Sequence, residues 1–194
     1  MHWTKAVVTG ASSGIGEAFA RRLAGDGTHV VLVARTKARL DSLAAELGGA
    51  DRATVLVADL ADAGEVERVA ELIGGDPDID LVVNNAGFGV SGAIADADPA
   101  EQLSMIDVMV RCLTRLSQAA ATAMAARGRG GILNVSSVGG FTPAATFAVY
   151  GASKAYVNSF TQALHGELAP TGVHVTCIAP GFTRTEFQER ADYD

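Results

Sequence analysis

Lys5-Ala6-Val7-Val8-Thr9-Gly10-Ala11-Ser12-Ser13-Gly14-Ile15-Gly16 joins a short β-branched apolar run directly to a helical segment through three glycines. Ala6-Val7-Val8 reads as a strand, and a helix is predicted over 14–25. Glycines permit a tight turn and let the backbone approach a pyrophosphate. The unpaired N–H groups and dipole of the helix N-terminus then favour an anion. The spacing is G-x-x-x-G-x-G, distinct from the commoner dinucleotide fingerprint, and the lysine of a nucleotide-triphosphate loop is absent. A glycine turn with no ligand could use the same letters. Its place after the first strand of a βαβ unit points instead to a dinucleotide, held by Gly10, Ser12, Ser13, Gly14, Ile15 and Gly16.

Outward from this turn, apolar runs alternate with longer helical segments. Val30–Ala34, Thr54–Ala58, Leu81–Val83, Ile132–Val135 and Val173–Ile178 complete six predicted strands. They read as apolar through their length, as parallel strands covered on both faces do. Further helices are expected near 37–48, 62–74, 99–127 and 150–169, with Pro170 and Gly172 stopping the last. The alternation predicts an α/β fold: a Rossmann-like doubly wound parallel sheet with helices on both faces, in a single domain. The helix near 99–127 carries two apolar stripes, Leu103/Ile106/Val110/Leu113 and Met105/Met109/Cys112/Leu116. One stripe suffices to cover a sheet. The second predicts packing on a further element, either a partner subunit in a homodimer through 99–127 and 150–169, or a loop or C-terminal segment.

The chain has 194 residues, 48% of them hydrophobic, and a formal net charge of −7. That is the size of one domain with a substantial core. The acidic balance, with no Lys/Arg run, argues against a surface for nucleic acid or anionic membrane. Cys112 and Cys177 are far apart in apolar stretches, without a C-x-x-C or Cys/His cluster, so buried free thiols are expected rather than a disulfide or zinc site. Met1 to Lys5 run straight into the first strand, leaving no room for a signal peptide, and 81–95 is too short and polar to span a bilayer. A cytoplasmic address follows.

Strand two ends at Val33-Ala34-Arg35. An acidic residue near this point would bind the ribose 2′-hydroxyl of NAD, whereas an arginine suits the 2′-phosphate of NADP. The expected cofactor is therefore NADP(H) in preference to NAD(H). Strand three ends at Asp59-Leu60, where the carboxylate can accept from an adenine amino group, while Asp59 or Asp62 can also cap the following helix. Strand four ends at Asn84-Asn85-Ala86-Gly87, small residues that let the chain pass close to a ligand and amides that can tie strand ends together. Tyr150 and Lys154 lie four apart on one helix face. A buried ammonium near a phenol favours the phenolate. Strand five delivers Ser136-Ser137 to the same crevice.

Each of these features alone is unremarkable. Together they resemble the short-chain dehydrogenase/reductase family, in its order and over essentially the whole chain: T-G-x-x-x-G-x-G at Thr9–Gly16, N-N-A-G at Asn84–Gly87, Y-x-x-x-K at Tyr150–Lys154, and Pro180-Gly181 after strand six. The serine at the family's spacing before the tyrosine is Ser137. The resemblance implies catalysis by Ser137, Tyr150 and Lys154: Tyr150 protonates a carbonyl oxygen as hydride arrives, Lys154 favours the phenolate and holds the nicotinamide ribose, and Ser137 orients the substrate oxygen. It further implies that Asn85, Ala86, Gly87, Pro180, Gly181 and Thr183 contact the cofactor, with no metal.

Two departures stand out. Where the family carries an asparagine in a D-V-N-V-like stretch, this chain has Asp107-Val108-Met109-Val110. That amide helps hold a relay water, whereas methionine offers only a weak acceptor, so slower proton delivery is expected. Met109→Asn should raise turnover if that relay limits it. The chain 1–194 is also read as one dinucleotide-binding domain lacking the family's C-terminal substrate cover and last strand. The carbonyl/alcohol oxidoreductase reading competes with an NADP(H)-binding regulator lacking normal turnover, and with a non-catalytic interaction module. Phe88, Val90, Ile94, Phe141, Phe147 and Phe182 are candidates for an apolar substrate pocket, though core packing would also account for them.

Overall fold

A computed structural model describes residues 2–181. Six parallel strands form one sheet: β1 (Lys5–Thr9), β2 (His29–Ala34), β3 (Ala53–Val57), β4 (Ile79–Asn84), β5 (Gly130–Val135) and β6 (Val173–Ile178). Their order is β3-β2-β1-β4-β5-β6. The order reverses between β1 and β4, so the crevice beyond their carboxyl ends is the topological switch point where such sheets bind ligands.

Two apolar layers sandwich the sheet. On one face Ala20 and Leu23 of helix α1 (Gly14–Gly25) and Leu40 and Leu43 of α2 (Lys37–Leu47) pack on Val8, Leu32 and Val83. On the other, α3 (Ala63–Gly75), α5 (Leu113–Arg127) and α6 (Ala148–Leu168) bury Val69, Ile73, Leu116, Met124 and Leu164 against Val7, Val82 and Ile132. The central strands β1 and β4 are buried almost throughout, as predicted. The edge strand β6 departs from prediction: Val173 and Val175 are buried while His174 and Thr176 are exposed. Only the face that joins the α3/α5/α6 core is covered, so alternation returns.

The segment predicted as one helix over 99–127 is α4 (Pro99–Ile106), a π-helical stretch Asp107–Cys112, and α5. A π turn holds more residues than an α turn and shifts the phase of the side chains beyond it. Met105, Met109, Cys112 and Leu116 are buried, as one predicted stripe requires. The other stripe breaks up: Leu103 is exposed, Ile106 and Val110 are half-buried, and Leu113 is in the core. Cys112 is buried as expected, but Cys177 on the edge strand is only half-buried; both are free thiols. No helix among the described residues is long and apolar enough to cross a membrane.

Of the two predicted caps, Asp62 holds the N-cap of α3, its Oδ1 accepting from the Glu65 N–H at 2.9 Å. The Glu65 carboxylate accepts from the Asp59 N–H at 2.6 Å, tying the connection after β3 to the first turn of the helix. Asp62→Ala should lower the unfolding free energy by about 1 kcal/mol. The check is a shifted urea midpoint with an unchanged slope.

Candidate active site

Most residues of the site are carried to one cleft by the end of a strand or the start of a helix. β1 ends in Thr9, whose buried hydroxyl accepts from the Asn85 and Ala86 N–H groups at 2.9 and 3.0 Å. Asn85 Nδ2 donates back to the Thr9 carbonyl at 2.9 Å. Gly10, with φ +65°, makes the turn. A Cβ there would lie 2.8 Å from Asn85 Nδ2, and one at Gly16 would lie 2.2 Å from the Gly10 carbonyl oxygen. Side-chain volume is thus excluded from the floor where α1 begins, leaving a bare backbone beside a helix N-terminus. Ser13 occupies the N-cap with an extended backbone and makes no side-chain cap bond.

The cleft has a volume of about 450 Å³ and runs along the carboxyl ends of the strands. Gly10, Ser12, Ser13, Gly14 and Ile15 line it, with Arg35 beyond β2, Asp59 and Leu60 beyond β3, Asn85, Ala86 and Gly87 beyond β4, and Pro180 and Gly181 beyond β6. Ser137, Tyr150 and Lys154 line it as well. Gly16 does not: it is buried under the turn, where its part is the close helix–strand packing. Thr183, like Phe182, lies outside the described residues. Of the apolar candidates, Phe88 and Phe147 line the cleft, whereas Val90, Ile94 and Phe141 do not.

Helix α6 is pinned to β5 by several buried bonds. Asn84 Nδ2 donates to Ser117 Oγ (3.0 Å) and Asn134 Oδ1 (2.9 Å), and Asn134 Nδ2 donates to Thr161 Oγ1 (3.0 Å). Asparagine amides therefore do tie strand ends together. Both adjacent serines line the cleft, but their hydroxyls differ: the buried Ser136 donates to the Lys154 carbonyl at 3.0 Å, while Ser137 accepts from the Gly139 N–H at 3.1 Å. Gly139 and Gly140 were missed in the sequence. A Cβ on Gly140 would meet Lys154 backbone at 2.7 Å, so this turn lets α6 approach Ser137 closely. Other lining residues missed are Thr36, Ser104, Val108, Val138 and Ala144, brought in from α4, the π-helical stretch and loops without a local signal.

Lys154 is 5% exposed and donates to the Val135 carbonyl at 2.9 Å. Its Nζ lies 5.8 Å from the Tyr150 ring centroid, and Phe147 meets that ring edge-on at 6.1 Å. Burial lowers the lysine pKa to about 8, with a small opposing pull from Cys177. Met109 lies beside this group: its Cγ and Sδ are 3.2 Å from where a Gly87 Cβ would stand, and Lys154 Nζ is 3.6 Å from the same point. The second tyrosine of α6, Tyr156, serves elsewhere. It shares a 2.7 Å hydrogen bond with Thr114, stacks on Phe160, and does not line the cleft.

A parallel sheet of this order, with a glycine turn and a tyrosine–lysine pair meeting at its switch point, defines a dinucleotide-binding α/β protein. Residues 4–194 match the pattern of the short chain dehydrogenases. An uncharacterized oxidoreductase of Staphylococcus epidermidis is 41% identical over 189 residues, covering 97% of this chain and 81% of that protein. A short-chain dehydrogenase from Sphingobium yanoikuyae, solved in complex with NADPH, superposes with a TM-score of 0.95 at 39% identity, over 98% of this chain and 75% of that one. A bulky-bulky ketone specific alcohol dehydrogenase from Comamonas testosteroni gives 0.91 at 37% identity, over 95% and 75%. The chain belongs to the short-chain dehydrogenase/reductase family and is an oxidoreductase.

The buried lysine yields a stability prediction. Its folded pKa is lowered below the unfolded value, so its contribution is fully present above the unfolded pKa of 10.5 and is lost as pH falls to about 8. Wild type should therefore gain stability across that window relative to Lys154→Met. Urea titrations of both proteins at stepped pH, without added nucleotide, read the difference.

Proposed function

We propose that the cleft binds NADP(H) in preference to NAD(H), and that the protein interconverts a carbonyl compound and an alcohol at its Tyr150 end. One observation carries this reading: a single cleft runs from Arg35 and Asp59, past the glycine turn, to Ser137, Tyr150 and Lys154. The NADPH bound by the Sphingobium relative supports it. So does a chemically fitting set of walls. The bare Gly10–Ile15 backbone suits a pyrophosphate, the Arg35 guanidinium a 2′-phosphate, and Asp59 with Leu60 an adenine. Asn85, Ala86, Gly87, Pro180 and Gly181 line the nicotinamide half.

The bound dinucleotide supplies a hydride to the carbonyl carbon, or accepts one in reverse. The Tyr150 hydroxyl gives its proton to the carbonyl oxygen, so that two electrons and two hydrogens convert C=O to CH–OH. Of the three Lys154 donors, one is spent on Val135, which fixes the ammonium beneath the tyrosine and leaves the others for phenolate and ribose. Ser137 accepts from Gly139, so its own O–H is directed to the substrate oxygen. Met109, a weak acceptor beside Lys154, slows the return of protons to this pair.

A homodimer through α4, α5 and α6 belongs to the same reading. It is supported by an apolar groove lined by Ile94, Ile106, Val110, Ala148, Val149 and Ala152, and by Leu103, which is 60% exposed. A cytoplasmic, reducing location accords with the free thiols.

The test is a calorimetric titration with NADPH and then NADH. NADPH should bind about 10–100-fold more tightly, the worth of a charge-assisted hydrogen bond to the 2′-phosphate, and Arg35→Ala should erase that preference. Tyr150→Phe should keep NADPH affinity while lowering kcat by about 10²–10⁴. Equal binding of the two nucleotides would remove the Arg35 assignment.

A further inference from the structure

The two halves of the cleft differ in chemistry. Its charged lining residues among those described are Arg35, Asp59 and Lys154. The first two stand beyond β2 and β3, on the far side of β1 from Tyr150, and the third is tied to the Val135 carbonyl. Around Tyr150 the walls carry no charge besides Lys154 and are mostly apolar, with Phe88 and Val108 from one side and Val138, Ala144 and Phe147 from the other; Ser104 and Ser137 are the polar side chains among them.

Two loops frame this half. The loop 85–98 follows β4, and the segment 136–147 runs from β5 to α6. They are clamped together, because the Gly92 N–H donates to the Thr146 carbonyl at 2.9 Å. Thr146 has φ +67°, a left-handed conformation that a β-branched residue adopts only when its surroundings impose it. Beside it, the Phe147 carbonyl accepts from the Gly151 N–H at 2.8 Å, starting α6 with Phe147 held edge-on to Tyr150. Four large apolar side chains are prominently exposed among the described residues, and three of them, Ile94, Val138 and Phe141, sit on these two framing segments. Of these, Val138 lines the cleft itself.

We infer that the substrate is an uncharged ketone, or the matching secondary alcohol, whose bulky apolar substituent packs against Phe147, Ala144, Val138 and Phe88. This deepens the carbonyl/alcohol reading above and rests on it. Among the described residues a carboxylate or phosphate placed there would meet no cation but Lys154, already tied to Val135, and a polyol would find only Ser104 and Ser137 to bond beside the carbon walls. An aryl or branched alkyl group gains from each methylene it buries. Ala144, small and exposed at the mouth, leaves the space such a group needs.

The test follows NADPH oxidation with a series running from acetone through butanone and cyclohexanone to phenyl alkyl ketones, together with 2-oxo acids of matched carbon count. In the aliphatic part kcat/KM should rise about fourfold per added methylene, the factor set by burying one CH₂. The matched 2-oxo acids should fall at least about tenfold below the ketones. Ala144→Leu should cut the ratio of phenyl ketone to butanone efficiency about tenfold by overfilling the wall. A readout independent of turnover is calorimetry on protein saturated with NADPH, where a phenyl-substituted secondary alcohol forms a non-reacting complex and should bind more tightly than glycerol. A flat or inverted series, a preference for 2-oxo acids, or an unchanged ratio in Ala144→Leu would overturn the substrate class while NADPH binding and reduction persist. Failure to bind NADPH, or to reduce any carbonyl offered, would overturn the underlying function as well.

Discussion

A methyl group at Gly16 would stand 2.2 Å from the Gly10 carbonyl oxygen and 2.4 Å from Asn85 Nδ2. Helix α1 therefore leaves β1 at a separation only glycine permits, and the chain following β4 crosses at the same point. Three elements meet there with almost no side-chain volume between them. The Thr9 hydroxyl and the Asn85 amide supply the bonds that hold the crossing. With that junction closed, the N-terminus of α1 faces the switch point of the sheet, and the remaining strand ends set out the cleft on either side of it.

The Tyr150 half of the cleft depends on a second set of close approaches. A ladder of amides and hydroxyls, Ser117–Asn84–Asn134–Thr161, crosses from α5 through β4 and β5 to α6 in the buried layer. These bonds define one register, since a slipped helix would leave the buried donors unpaired; the Asn84 Oδ1 is the ladder's one buried atom with no partner among the described residues. Gly140 then lets the β5–α6 connection lie against the Lys154 backbone, with Ser136 bonded to the Lys154 carbonyl and Lys154 to the Val135 carbonyl. Tyr150 and Lys154 are thereby held one helical turn apart over Ser137. A buried lysine whose proton is held less tightly than usual is the electrostatic consequence.

Between these two regions the π-helical stretch Asp107–Cys112 changes which side chains a long helix turns inward. Met109 and Cys112 are buried, and Leu113 joins them immediately after. The Thr114 hydroxyl bonds the Val110 carbonyl at 2.7 Å, taking up an acceptor beside the irregular turn. The stretch carries Val108 to the cleft wall and Met109 to the space beside Lys154. Helix and site are thus coupled through one local departure from α geometry.

The sequence by itself determined the alternation of strands and helices, the glycine turn and the identity of most of the cleft. These are local matters: β-branched runs, a glycine with no substitute at φ +65°, and a tyrosine and lysine one turn apart each carry their meaning within a few residues. Asp62 as the cap of α3, the half-exposed edge strand and the broken stripe on 99–127 were not legible in that way. Each depends on what lies across the gap: which carboxylate meets a free N–H, which strand lacks a neighbour, and where a helix takes an extra residue into a turn. Tertiary structure alone moved Gly16 from the wall to the floor and brought Val108, Val138 and Ala144, unmarked in the sequence, beside the expected Phe88 and Phe147 around Tyr150. Those five residues come from segments as much as 59 positions apart, from Phe88 to Phe147, and no periodicity along a chain records which loops a parallel sheet brings together at its carboxyl edge.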